Sequence, residues 1–336
     1  MKVEDWLYIR EEGLYAAPGD VFIDPLKPVE RALITHGHAD HARPGHGKAW
    51  GTPETLGIMT RRYGDNAGRV HDAHAYGEAF RIGDLKICLA PAGHVLGSAQ
   101  IILEYNGQVA VAAGDYKRTR DPTCAPFQPV PCDVFITEAT FALPVFKHPE
   151  PEKEMLKLIQ SLSEEPDRAH LLGCYGLGKC QRLIALLREA RFSEPIWLHG
   201  ALIELCRYYE ECGVDLGDIR PVAHSGLQKE DWRGQLIMAP PSALREKWAR
   251  RFPDPLVAMA SGWMRVRQRA KQRGVELPMI VSDHVDWPDL LQTIADVDPE
   301  EVWITHGRED ALIHALNNQG RRARALRLIG FEEEDI

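Results

Sequence analysis

Short apolar runs that each stop at a polar residue punctuate the first 140 residues. VFID (21–24) and ALIT (32–35) have the length and ending of buried strands that feed a site. AQIILEY and QVAVAAGD flank Asn106-Gly107, a strong signal for a two-residue hairpin. DVFITEAT (133–140) predicts one more buried strand. The pattern changes near PVFKHPEPEKE (144–154), where prolines and charges mark a crossing, and PEKEMLKLIQSLSEE then takes up helical spacing.

Residues 170–275 alternate strands with helices. HLLGCYGLGKCQRLIALLREA reads as a strand, a glycine turn and an amphipathic helix, and PIWLHGAL, GQLIMAPPSAL and PLVAMASGWM predict further buried strands ending in small-residue loops. This is the α/β pattern of a doubly wound sheet. LPMIVSDHVDW and VWITHGRED return to the first style, an apolar strand that ends in histidine. RRARALRLIG is expected to close the last helix, and FEEEDI to form a frayed acidic tail. Histidine-ended strands thus fall in two blocks, and the segment between them reads as an insertion. The expected boundaries are 1–146 and 278–336 for a split domain, with 147–277 inserted.

Composition excludes little. The 336 residues are 44% hydrophobic and 26% charged, ordinary for a globular chain. No run approaches the apolar length of a membrane span, and MKVEDWLYIR lacks the apolar core of a signal peptide. Seven cysteines without a CxxC pair suit reduced thiols, so a cytoplasmic location is expected. The net charge of −9 argues weakly against a polyanionic partner, yet WMRVRQRAKQR (263–273) supplies Arg265, Arg267, Arg269, Lys271 and Arg273 for a local basic patch.

The chemistry is densest in THGHADH (35–41), which holds three histidines and an aspartate within seven positions. At an extended strand end, residues i and i+2 face one side, so His36 and His38 point together. Asp40 and His41 can face a second position across a turn. His94, Asp115 and His306 stand at comparable strand ends. Nitrogen ligands with a few carboxylates suit zinc, with manganese as the alternative, and Asp115 could bridge two ions. His46, His71, His74, His148, His170, His199, His224 and His314 lack such a setting and are read as structural or surface residues.

Asp24, His36/His38/Asp40/His41, His94 and Asp115 together resemble the signature of the metallo-β-lactamase superfamily. The insertion, with Glu138 in ITEATF, His284 in VSDHVDW and His306, resembles the β-CASP branch of nucleic-acid nucleases. MASGWM, SDHVDW and the compact length are similar to the bacterial ligase-associated DNA exonucleases, relatives of Artemis-type repair enzymes. The resemblance implies an αββα metallo-β-lactamase sandwich with an inserted α/β β-CASP domain. It also implies a cytoplasmic two-metal DNA exonuclease acting on single-stranded or free ends, 5′ to 3′, alongside a ligase and helicase of one repair pathway. Artemis-type proteins carry valine where this chain has His306, so an RNA-processing nuclease stays open. A small-molecule hydrolase would need neither the insert nor Glu138 and His284, and a non-catalytic relative would have lost ligands.

A phosphodiester resists hydrolysis because its charge repels hydroxide and its alkoxide leaves poorly. Two metal ions would activate the attacking water and neutralise the phosphate oxygens. The implied ligands are His36, His38 and His94 for the first ion, Asp40, His41 and His306 for the second, and Asp115 for both. His284 is the expected general acid, oriented by Glu138, and Asp40 counts with them as catalytic. Asp24 is expected to hydrogen-bond a ligand histidine. Lys117, Arg118, Gly178, Lys179, Ser261 and Trp263 are the expected substrate and phosphate contacts.

Overall fold

The computed structural model describes residues 1–223, 225–307 and 309–326. They divide into two compact units, Met1–Lys147 with the described residues from His284 onward, and His148–Asp283.

In the first unit, β1 (Leu7–Arg10), β2 (Gly13–Ala16), β3 (Val21–Ile23), β4 (Arg31–Leu33), β5 (Lys48–Gly51) and β6 (Val70–Ala73) form one sheet in sequence order. Its first three strands are antiparallel and the rest parallel. Side chains alternate across it. Leu33 faces the second sheet, whereas Ala32, Ile34 and Ala49 receive Leu56 and Met59 of α1 (Pro53–Tyr63). Thr52 starts that helix by accepting the Thr55 N–H, with Pro53 at the first position.

The second sheet begins with β7 (Ala79–Ile82), β8 (Leu85–Pro91), β9 (Ala99–Tyr105) and β10 (Gln108–Ala112), all antiparallel, followed by β11 (Val134–Ala139) parallel to β10. Asn106 (φ 48°) and Gly107 (φ 78°) make the expected hairpin, both with the positive φ of a type I′ turn.

The second unit holds α2 (Pro151–Glu164), β12 (His170–Gly173), α3 (Lys179–Glu189), β13 (Ile196–Leu198), α4 (Gly200–Glu211), β14 (Ile219–Pro221), β15 (Leu236–Ala239), β16 (Leu256–Ala260), α5 (Arg267–Gln272) and β17 (Leu277–Met279). Its six strands pair in the order β14-β13-β15-β12-β16-β17, all parallel. β12, β13 and β15 are buried throughout, as strands covered on both faces must be.

The chain then returns to the first unit with α6 (Trp287–Val297), β18 (Glu301–Gly307), α7 (Glu309–Asn318) and β19 (Arg322–Ala325), completing the second sheet as β19-β18-β11-β10-β9-β8-β7. Leu7, Leu14, Leu33 and Trp50 of the first sheet meet Ile87, Ile101, Leu103, Ile136 and Trp303 of the second in one core. On the far side, Val111, Phe135, Val302 and Ile304 pack against Leu290 and Ile294 of α6 and Leu312 and Leu316 of α7. Each fully buried leucine or isoleucine here stabilises the layer by about 1.5–3 kcal/mol. The unit is an α/β structure, two packed sheets with helices on both outer faces.

Two expectations need correcting. The strand before His284 pairs with β16 in the parallel sheet of the second unit, not with the histidine-ended strands. RARA (322–325) is a strand, β19 beside β18, rather than the end of a helix. His224 and the FEEEDI tail lie outside the described residues, as does the RLIG end of RRARALRLIG. Among the described residues no helix is long and apolar enough to cross a membrane, and none of the seven cysteines is in a disulfide.

Candidate functional site

The histidines and carboxylates singled out above come together within the first unit, at the ends of strands from both sheets. Residues 35–41 follow β4, His94 lies between β8 and β9, Asp115 follows β10, Glu138 is in β11, His284 precedes α6 and His306 is in β18. Gly114 (φ +58°) turns the chain just before Asp115, and a Cβ there would lie 2.8 Å from the Thr35 side chain. The close approach of these two strand ends therefore requires glycine.

His36 Nε2, His38 Nδ1, His94 Nε2 and Asp115 Oδ2 lie within 4.8 Å of one another. The His36–His38 and His38–His94 nitrogens are 3.1 and 2.9 Å apart, and Asp115 Oδ2 is 3.5 Å from His36 and 3.6 Å from His94. A tetrahedral ion with bonds of about 2.0–2.1 Å needs ligand atoms roughly 3.3–3.4 Å apart, close to the spacing of this donor set, so the cluster could hold a divalent metal ion. A second group shares the same oxygen. His41 Nε2 is 3.6 Å from Asp115 Oδ2 and 3.6 Å from Asp40 Oδ2, and the His306 ring centroid is 5.4 Å from that of His41. Asp40 Oδ1 is buried with no hydrogen-bond partner among the described residues. Asp115 Oδ2 is thus the atom common to both groups.

Asp24 explains the orientation of His41. It is buried at φ 43° and accepts three hydrogen bonds, from the Thr35 N–H (2.8 Å), the Thr35 hydroxyl (2.5 Å) and His41 Nδ1 (2.7 Å). With Nδ1 donating to a carboxylate, His41 presents the lone pair of Nε2 to the centre. Thr35, which sequence reasoning passed over, also contacts His36 Nδ1 at 3.0 Å. Asp24→Ala is expected to weaken metal affinity about 10–100-fold. Titration with a chromophoric chelator would measure it, and unchanged affinity would refute the orienting role.

Burial and neighbouring charges compete in the electrostatics. It pushes the Asp115 carboxyl up to about 7, with the negative neighbour Glu138 adding to it against the pull of His41 and His284. It drives His306 down to about 3 and His36 well below the ordinary histidine range. Burial also acts to lower His41, but Asp115, Asp40 and Asp24 hold that imidazole up at about 10. Burial acts to raise Asp40, yet His41 and His38 bring its carboxyl down to about 2. Imidazole nitrogens and a carboxylate gathered this closely suit a divalent cation. The His/Asp cluster can bind metal ions.

Beside it, His284 Nδ1 is 2.8 Å from Glu138 Oε2. Glu138 is fully buried, and its other oxygen accepts the Tyr116 N–H at 2.9 Å. Both Glu138 oxygens are occupied by hydrogen bonds, so this carboxylate orients His284. Asp115, Glu138 and His284 can also be grouped as ligands by distance alone, but these bonds argue against it.

The expected phosphate contacts have other partners. Lys117 is buried and pairs with Asp121 at 2.8 Å, itself held by Thr123. Arg118 pairs with Asp296 at 2.6 Å and donates to Thr293. Both expected phosphate contacts thus form ion pairs within the fold. In the second unit, the Gly178 N–H donates to Gln181 Oε1 at 2.8 Å, which caps α3 from within the chain. Lys179 Nζ lies 3.4 Å from Asp283 and 5.2 Å over the Tyr175 ring. Ser261 is buried and accepts the Trp263 N–H, and the Arg269 guanidinium lies 4.0 Å over the Trp263 ring. Two of the remaining histidines are structural. His46 accepts the Val29 N–H, and His199 caps α4 by accepting the Ala201 N–H.

Fold and site together define an α/β chain with a His/Asp centre able to hold metal, and its relatives include nucleases. The chain is 28% identical over 326 residues, 96% of its length, to a protein of Opitutus terrae named Probable DNA ligase, of which it covers 31%. It is 34% identical over 232 residues, 56% of its length, to Endoribonuclease ysh1 of Emericella nidulans, covering 25% of that protein. Cleavage and polyadenylation specificity factor 73 of Drosophila melanogaster matches over 114 residues at 32% identity, 33% of this chain and 16% of that one. The chain thus spans about a third or less of these relatives. A crystal structure of a protein of unknown function from Enterococcus faecalis shares the fold, with a TM-score of 0.54 at 13% identity over 87% of this chain and 78% of that one. No family model matches the chain.

Proposed function

We propose that the chain is a two-metal DNA exonuclease of the metallo-β-lactamase and β-CASP type, working in the cytoplasm on single-stranded ends in repair. The observation that carries this reading is Asp115 Oδ2, which lies 3.5–3.6 Å from His36, His41 and His94 Nε2 and beside the Glu138–His284 pair. His36, His38 and His94 would hold one ion, Asp40, His41 and His306 the other, and Asp115 both. Bound zinc, or manganese as the alternative, would lower the pKa of the attacking water and offset charge on the phosphate. Asp40, with Oδ1 unengaged by described residues, would also orient that water. Glu138 accepts the His284 Nδ1 proton, so the proton for the leaving sugar oxygen is carried on the other ring nitrogen. Trp263 and the basic run 263–273 would stack and track a single strand, with Gly178, Lys179 and Ser261 near its phosphates.

DNA is favoured because nearly the whole chain aligns with part of a protein named as a DNA ligase, which also makes a ligase, with a helicase, the expected companion in repair. The endoribonucleases align over only part of it, although they and His306 keep RNA as the second reading. Matched DNA and RNA oligonucleotides, labelled at either end, test this. The expected result is shortening of single-stranded DNA from the 5′ end, with RNA cut more slowly. Dominant RNA cleavage would overturn the substrate assignment.

A further inference from the structure

The reading above makes the Glu138–His284 pair the proton donor, and the pair works only if Glu138 keeps one orientation. Glu138 sits where the register between β11 and β18 shifts, between Thr137 and Ala139, so regular pairing does not hold it. Its Oε1 is anchored by the Tyr116 main chain. Its Oε2 meets two donors, His284 Nδ1 at 2.8 Å and the Thr140 hydroxyl at 2.6 Å. The same imidazole nitrogen has a competing acceptor, Asp115 Oδ2, at 3.8 Å.

We propose that Thr140 is a positioning residue for the reaction, holding Glu138 Oε2 on His284 so that the imidazole is not drawn to the metal-bridging carboxylate of Asp115. The main chain already fixes the rest. Val285 donates its N–H to the Tyr116 carbonyl at 2.7 Å, so Tyr116 ties both Glu138 and the residue after His284 to one segment. The Thr140 hydroxyl is the side-chain contact in this arrangement that a single substitution removes without touching a metal ligand or the proton donor. This inference rests on His284 being the proton donor.

Thr140→Val keeps the side-chain shape and deletes the donor, whereas Thr140→Ser keeps the donor. Both would be assayed on end-labelled single-stranded DNA and on bis(p-nitrophenyl) phosphate, whose leaving phenolate needs no proton. For the valine variant the expected result is kcat on DNA reduced about 10-fold at unchanged KM. Its rate on the aryl diester stays within about 2-fold of wild type, with metal content unchanged. Serine restores the DNA rate. Equal losses on both substrates, or a valine variant as fast as wild type on DNA, would overturn the proposal. If the valine variant fails to fold, Thr140→Ala carries the same comparison. His284→Ala run in parallel separates the two levels. A fast His284→Ala enzyme removes the proton-donor reading itself, whereas a slow His284→Ala beside a fast Thr140→Val removes only the role of Thr140.

Discussion

Asp115→Asn is expected to abolish the proposed nuclease activity, by about 10³-fold or more, because in the two-metal arrangement proposed here both ions would lose their shared ligand, with several kcal/mol of charge stabilisation. Asp115 Oδ2 stands 3.5–3.6 Å from His36, His41 and His94 Nε2, within reach of both sets of donors. The amide is nearly isosteric but neutral, and it offers a weaker oxygen. Elemental analysis of the purified variant should show the metal content falling together with the rate on end-labelled DNA. Full metal content with full activity would refute the bridging role.

His284→Ala should produce a different signature. The metal donors are untouched, so metal content stays at the wild-type level. The rate on DNA falls about 10²–10⁴-fold, the usual contribution of a positioned general acid. Hydrolysis of an aryl diester with a good leaving group is expected to survive, because that bond breaks without a proton. If both substrates slow equally, His284 acts in binding or metal retention instead. Steady-state rates on the two substrates, with metal analysis of the same preparation, decide between these outcomes.

Much of this centre was legible from sequence because its ligands obey local geometry. The HxHxDH run and the recurrence of His94, Asp115 and His306 after apolar runs are local signals of polar residues gathered at strand ends. The Asn106-Gly107 hairpin was legible for the same reason, since a type I′ turn demands those residue types. What sequence did not show depends on distant partners. Lys117 and Arg118 stand two and three residues after Asp115, and in the fold they pair with Asp121 and Asp296. In sequence the Gly178 amide reads as open to an anion, and in the fold it donates to Gln181 Oε1. Leu277–Met279 is apolar like the histidine-ended strands, and only its pairing with β16 assigns it to the other sheet. RARA reads as helix or strand with equal ease, and its place beside β18, with Arg324 4.2 Å over the Trp303 ring, is a tertiary choice. Thr35 and Thr140 are ordinary threonines in sequence, and they matter for the carboxylates they meet in the fold.

The most direct measurement of the central claim is digestion of 5′-labelled single-stranded DNA by the metal-free chain, reloaded stepwise with zinc or manganese. No digestion is expected without metal, and the full rate only as the second equivalent binds. Digestion by the metal-free chain, or a full rate at the first equivalent, would contradict the two-metal reading.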